Sequence, residues 1–349
     1  MASSTGTELK NQTGLCALSP QLHNQGTLKE CKPSIFWNFE EAAKQCPKLR
    51  YWCAPMVGQS ELAFRMMTRH FGVGICSTPM INAAGYVASE RYRKLFKWSP
   101  QDRPLIVQFC GDKSADFLAA SRLVENYCDA VELNLGCPQI TAKRGHYGAF
   151  LMEELELVKE IVSTLRKCLC IPVLCKIRVF ASFEKTLEFA LGLQEAGCCV
   201  LTVHGRTRQE KRASQFLARW DYIRRLKETL SIPVISNGNI REFSDIDRCL
   251  KDTGADGVMS AHTLLLNPAL FSGQKLSLSE LALCYLDYAE TYAAEATQIA
   301  EHLIRILRTK RYRKNENLHS TLLLLQKDSS ALDFGTLRRL IVNATNTSY

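Results

Sequence analysis

The chain has 349 residues, 46% of them hydrophobic and 23% charged, with a formal net charge of +9. These proportions are ordinary for a globular protein and exclude a low-complexity or fibrous chain, and no apolar run approaches the ~18 residues of a membrane span. Fifteen cysteines without a single Cys-x-x-Cys pair argue against structural zinc, an iron–sulfur cluster or a disulfide framework; they point to a reducing compartment, cytoplasmic or nuclear.

Residues 1–33 are rich in Ser, Thr, Asn, Gln and Gly without sustained periodicity. They read as a disordered leader, without the basic and apolar regions of a secretion signal. Ser34 to Gln45 reads as a short capped helix stopped before Pro47, so that 34–50 forms a helical lead-in. From residue 51 the pattern becomes regular. Short apolar runs predict buried strands over 51–57, 74–78, 104–109, 129–134, 172–178, 199–204, 233–236 and 256–260. Between them, amphipathic spacing predicts helices over 61–70, 115–126, 154–167, 183–196, 217–229 and 243–252. Eight βα units in roughly 220 residues predict a (β/α)8 TIM barrel over 51–273. An open doubly wound sheet is the alternative, but the first βα turn lacks its G-x-G-x-x-G phosphate loop. After Phe271 strand signals stop. The Leu/Ala-rich segments 277–309 and 319–345 predict a separate helical domain over 274–349.

Barrel enzymes gather their chemistry at the C-terminal ends of the strands. Here those ends carry Met56, Thr78, Gln108, Asn134, Lys176 with Arg178, His204, Asn237 and Ser260, so strands with apolar bodies turn polar at the same end. Gln and Asn satisfy both the C=O and the N–H edges of a flat heterocycle, and a lysine stabilises the negative charge that gathers on such a ring when it is reduced. Asn237-Gly238-Asn239 alone would be a common turn. Placed after the seventh predicted strand, beside the loop after the eighth, it suits a phosphate. Together these features suggest flavin mononucleotide (FMN).

Cys137 follows the fourth predicted strand on a Gly-Cys-Pro turn. A thiol with an ordinary pKa of ~8.5 stays mostly protonated at neutral pH and can act as a general acid. The other cysteines read as inert small hydrophobes. His146, in the loop after Cys137, is open between substrate contact and loop packing. His70 reads as a helix-capping or surface residue, and His302 as structural or solvated. Basic charge collects in two places. Arg305, Arg308 and Tyr312 share a helix face opposite Leu303, Ile306 and Leu307, with Lys310, Arg311, Arg313 and Lys314 at its end. Lys143, Arg144, Arg206, Arg208, Lys211 and Arg212 would extend a positive surface around the mouth. A charge run is usually a solvated face, but an aromatic within a dense basic block outside the barrel makes nucleic acid a serious candidate partner.

Several segments, in this order, resemble the tRNA-dihydrouridine synthases: Cys-Ala-Pro-Met-Val (53–57), Pro-Leu-Ile-Val-Gln-Phe (104–109), Glu-Leu-Asn-Leu-Gly-Cys-Pro-Gln (132–139), Arg-Gly-His-Tyr-Gly-Ala-Phe-Leu (144–151), Cys-Lys-Ile-Arg-Val-Phe (175–180), Thr-Val-His-Gly-Arg-Thr (202–207) and Asn-Gly-Asn-Ile (237–240). The 143–150 and 175–180 forms look most like the eukaryotic branch acting at positions 16 and 17 of the tRNA D-loop. The resemblance implies an FMN enzyme that uses NADPH to reduce the C5–C6 bond of uridine in tRNA; separately, no metal and a monomeric state are expected. It implies that Pro55, Met56 and Val57 contact the flavin, and that Gln108, Lys176 and His204 bind its ring or ribityl chain. Asn237, Gly238 and Asn239 would hold the phosphate, Cys137 would be the proton donor, and Asn134 and Arg178 would lie near the uracil. Arg144, Arg206, Arg305 and Arg308 are the candidate tRNA contacts.

Two departures stand out. Ser260-Ala261-His262 replaces the Gly-Arg that many members carry after the last strand, leaving Ala261 backbone and His262 as the phosphate candidates there, and Asn239 stands where Asp is common. The rival expectations are an FMN barrel reductase acting on a free pyrimidine, in the manner of dihydroorotate dehydrogenases, and a tRNA-binding homologue without catalysis.

Overall fold

The computed structural model describes residues 34–211, 215–308, 316–328 and 333–346. The expected leader and the basic stretch 310–314, Tyr312 included, lie outside the described residues, as does Arg212. The described residues form nine parallel strands: β1 (Tyr51–Cys53), β2 (Ile75–Ser77), β3 (Ile81–Asn82), β4 (Leu105–Cys110), β5 (Ala130–Leu135), β6 (Val173–Arg178), β7 (Leu201–His204), β8 (Val234–Asn237) and β9 (Gly257–Ser260). β1 pairs with both β2 and β9, and β2 pairs with β4, so eight strands close into a barrel. The ninth, β3, was not anticipated; it adds two residues against the far end of β4, pairing Ile81 with Phe109. β1 is shorter than expected because Pro55 has no N–H for a ladder and the chain turns from Met56 to Ser60.

Strand side chains alternate in and out with a period of two, which sorts the interior into layers. The lowest layer is apolar and includes Trp52, Ile106, Ala130, Leu174, Val200, Ile235 and Met259. The lead-in helices close it from below: Phe36 and Phe39 meet Trp52 edge-on at 5.8 and 5.5 Å. Two residues further along the strands the interior turns polar, at Ser77, Gln108, Glu132, Lys176, Thr202 and Asn237. One step higher stand Asn134, Arg178 and His204. The rule that made these strands legible also aims their polar residues at one end of the barrel.

The tail contributes helices Leu278–Thr291, Ala296–Ile306, Glu316–Leu325 and Phe334–Asn346. Its apolar residues do not form a separate core. Tyr285, Leu286, Ile299 and Leu303 pack in one cluster with Phe64 and Met67 of the helix Leu62–His70 and with Leu264 after β9. The tail therefore sits against the seam where the first and last βα units meet.

Candidate active site

A continuous hydrogen-bond chain crosses the mouth. Gln108 Nε2 donates to Glu132 Oε1 (2.8 Å), and Asn134 Nδ2 donates to Gln108 Oε1 (2.7 Å). Asn134 Oδ1 in turn accepts from the backbone N–H groups of Gly136 (3.1 Å) and Cys137 (2.9 Å). On the other side Lys176 Nζ donates to Asn237 Oδ1 (2.9 Å), and Asn237 Nδ2 donates to the Met259 carbonyl. Gln108, Asn134, Lys176, His204 and Asn237 are thus brought to one end of the barrel, as expected. Glu132 was missed. It lies two residues before Asn134 on the same strand face, so strand alternation alone was the signal that pointed to it.

The electrostatics are those of a site short of negative charge. Burial pushes Lys176 down to about 8, partly offset by Glu132. Arg178 falls to about 10 through burial and the neighbouring Arg206 guanidinium, and Arg206 is lowered by burial and Arg241. Burial, then Lys176, Arg178 and Arg206, hold His204 well below the usual histidine range, so it is neutral. Arg206 Nη1 donates to His204 Nε2 at 3.0 Å, which places the ring proton on Nδ1. Burial raises Glu132 to about 7, against the pull of Lys176 and of the Gln108 hydrogen bond. The Thr202 hydroxyl lies close enough to favour the ionised carboxylate, yet neither Glu132 Oε2 nor Thr202 Oγ1 closes a hydrogen bond among the described residues. A bound anion relieves such a cluster of desolvated cations. Lys176 spends one of its three N–H donors on Asn237, and the mouth offers amide edges as well. The residues fit a flat, carbonyl-bearing ring attached to a phosphate.

Cys137 stands on a braced turn. Besides the two bonds to Asn134, Arg178 Nε donates to the Gly136 carbonyl (2.8 Å), and Arg178 Nη1 donates to the Thr207 carbonyl (2.8 Å). The following loop folds back over it: Ala149 N–H donates to the Cys137 carbonyl at 3.0 Å. Gly148 makes this approach possible, with φ +70 and space so tight that a Cβ would lie 2.7 Å from the Cys137 oxygen. His146 pins the same loop, its ring nitrogens 2.8 Å from Asp112 and 2.7 Å from Glu154, and both carboxylates raise its pKa. The loop-packing side of that open reading is what the contacts show. Lys143 and Arg144 are exposed on the short helix Ile140–Arg144.

At the opposite rim Gly238 (φ +117) and Asn239 (φ +63) take left-handed backbone after β8. The Asn239 side chain is occupied: Oδ1 accepts from Arg206 Nη2 and Ala218 N–H, and Nδ2 donates to the Ala218 carbonyl. Its side chain braces the loop, so a contact with phosphate would fall to backbone N–H groups. Ala261 precedes a five-residue helix, and the His262 side chain is exposed. Pro55 and Met56 are half-buried at the end of β1, with Val57 exposed. Arg206 departs from the expected outer positive surface: it is 5% exposed, with its guanidinium bound to the Phe216 carbonyl, His204 and Asn239. In the tail Leu303, Ile306 and Leu307 are buried as the helical period requires. Arg308 is exposed and donates to the Leu266 carbonyl (2.8 Å), whereas Arg305 is half-buried with its Nε unpartnered among the described residues.

His302 takes the structural side of its expectation. It is fully buried, stacked on Phe64 at 4.5 Å, and its Nε2 lies 3.0 Å from Glu61 Oε2, while Tyr285 donates to Glu61 Oε1 at 2.9 Å. This cluster ties the tail to the barrel beside the mouth. Among the described residues no group of three or more His, Cys, Asp or Glu is placed to hold a metal ion, and no helix is long and apolar enough to cross a membrane.

A family model described as dihydrouridine synthase (Dus) matches residues 52–329. The chain is 45% identical over 271 residues to a Mus musculus protein named tRNA-dihydrouridine(16/17) synthase (NAD(P)(+))-like, covering 77% of this chain and 57% of that one. It is 47% identical over 226 residues to the Saccharomyces cerevisiae tRNA-dihydrouridine(16/17) synthase (NAD(P)(+)), covering 63% of this chain and 53% of that one. The chain thus spans a little over half the length of these curated relatives. Among solved structures, a 2-naphthoyl-CoA reductase complex matches with a TM-score of 0.52 and 11% identity, over 64% of this chain and 49% of the other, a likeness of fold alone.

Proposed function

The chain belongs to the dihydrouridine synthase family, and we propose that it reduces the C5–C6 bond of uridines in the tRNA D-loop, at positions 16 and 17, with FMN as cofactor and NADPH as reductant. The observation that carries this reading is the single hydrogen-bond chain from the interior through Gln108 and Asn134 to the turn of Cys137. It couples the residues suited to a flavin ring with the residue suited to protonate a substrate. When bound, FMN would pass a hydride from NADPH to C6 of the uracil.

The remaining chemistry falls to the chain's own residues. Lys176, steadied by Asn237, would set its ammonium against negative charge on the cofactor ring. His204, neutral and protonated on Nδ1, would offer one donor without adding charge. Arg178 has two nitrogens committed to the turn and the next loop, which leaves Nη2 for a uracil carbonyl. Cys137 Sγ would then give its proton to C5, on the face opposite the hydride, and recover one from water. The loop 143–150 would lie over the base, with Arg144 exposed towards the tRNA backbone. Taking the uridine out of the folded tRNA costs a few kcal/mol, which contacts to the shape and phosphates of the tRNA would offset. Arg308 and the tail are the expected source of those contacts.

The test is a comparison of substrates. Purified protein should take up FMN and oxidise NADPH when unmodified tRNA is added. Colourless protein that cannot be loaded with FMN, or NADPH oxidation driven by free uracil or dihydroorotate and not by tRNA, would overturn the reading.

A further inference from the structure

We infer that Glu132 is a positioning residue: by accepting from Gln108 it sets the sense of a three-side-chain relay that holds the Cys137 turn. The role of the thiol is taken from the function proposed above, but the relay concerns the turn itself.

Two backbone N–H groups, of Gly136 and Cys137, meet the Asn134 side chain, so Asn134 must present its oxygen there. Its NH2 end then faces Gln108, which must answer with oxygen, and the Gln108 NH2 end is left facing residue 132. Only an acceptor fits that place. An amide is nearly symmetric in shape and can turn over. What prevents it here is a fixed acceptor at one end and two fixed donors at the other. Glu132 and Gln108 are both fully buried, so a reversed amide would set oxygen against oxygen where no water relieves it.

Glu132 is not present for its own satisfaction. Its Oε2 closes no hydrogen bond among the described residues, although the Thr202 hydroxyl lies nearby, so the bond to Gln108 is the one hydrogen bond the carboxyl closes, with Lys176 as its charge partner. Protonation on Oε2 would leave Oε1 still an acceptor. The relay therefore survives in either protonation state.

The test measures alkylation of Cys137 by iodoacetamide in the full chain without cofactor, read by mass spectrometry of its peptide against the other cysteines, with the thermal midpoint recorded alongside. Glu132→Met fills the space but cannot accept; it should free the turn and speed alkylation by about fivefold. Glu132→Gln keeps a carbonyl acceptor without the charge and should stay near the wild-type rate. Equal rates for Glu132→Met and wild type, or Glu132→Gln as fast as Glu132→Met, would overturn the relay. If Glu132→Met does not fold, a second pair decides. Assayed above about pH 8, where Glu132 is ionised and can only accept, Asn134→Asp sets oxygen against Gln108 and should speed alkylation. Adding Glu132→Gln lets the Gln108 amide turn over, with Gln as donor at 132, and should restore the slow rate; failure to restore it overturns the proposal. None of these rates depends on dihydrouridine formation, so a failed relay and a failed enzymatic reading are told apart.

Discussion

Lys176 and Glu132 share a buried space, and burial moves each towards its neutral form, Lys176 to about 8 and Glu132 to about 7. From its ordinary value of 4.5 up to about 7, Glu132 keeps a proton that the unfolded chain has lost, so its contribution to stability falls as pH rises. From about 8 to 10.5, Lys176 has lost a proton that the unfolded chain keeps, so stability rises again. The pair alone gives the cofactor-free protein a minimum between pH 7 and 8. An anion at Lys176 favours the charged ammonium. FMN affinity should therefore weaken as pH rises above about 8, by up to about tenfold per pH unit. Fluorescence titration at pH 7 and 9 checks this, and Lys176→Met should flatten the dependence; a wild-type affinity that does not change with pH contradicts it. Gly148 offers a second prediction at this scale. Gly148→Ala adds a Cβ 2.7 Å from the Cys137 oxygen on a left-handed backbone, and should cost about 1–3 kcal/mol in denaturant unfolding.

Between elements, the Glu61 cluster does what no local pattern announces. Tyr285 and His302 come from two tail helices and meet one carboxylate that precedes the helix Leu62–His70. Glu61→Ala should destabilise the protein by about 2–4 kcal/mol, because it leaves two buried polar groups without their partner. A lowered thermal midpoint with early proteolysis in the tail is the expected result. The sequence showed the apolar face of that helix but not this contact, since the partners lie 224 and 241 residues from Glu61. The barrel strands were legible for the opposite reason. Alternation and turn signals are local, and they give both the strands and the polar residues at their ends. Arg206 and Asn239 sat in the expected loops, yet they bond to each other, and the identity of a loop residue does not say whether its side chain faces solvent or a neighbour. The same blindness hid Glu132, whose importance lies in a bond to the next strand.

At the scale of the whole molecule, one strand direction brings the polar strand ends to one rim, and the tail packs at the seam beside it. If the proposed substrate is tRNA, its size would require contacts from both parts. Arg308, exposed and hydrogen-bonded to the Leu266 carbonyl after β9, is placed where they adjoin. Arg308→Glu should weaken tRNA binding and reduce the slope of its salt dependence by about one, with flavin content unchanged. The proposed activity, reduction of tRNA uridine with Cys137 as the acid, is tested most directly by mapping dihydrouridine in an unmodified tRNA after incubation with FMN-loaded protein and NADPH. Wild-type protein is expected to modify positions 16 and 17, and Cys137→Ala to bind FMN normally yet leave both uridines intact. Dihydrouridine formed as readily by Cys137→Ala, or none formed by the FMN-loaded wild type, would contradict the account.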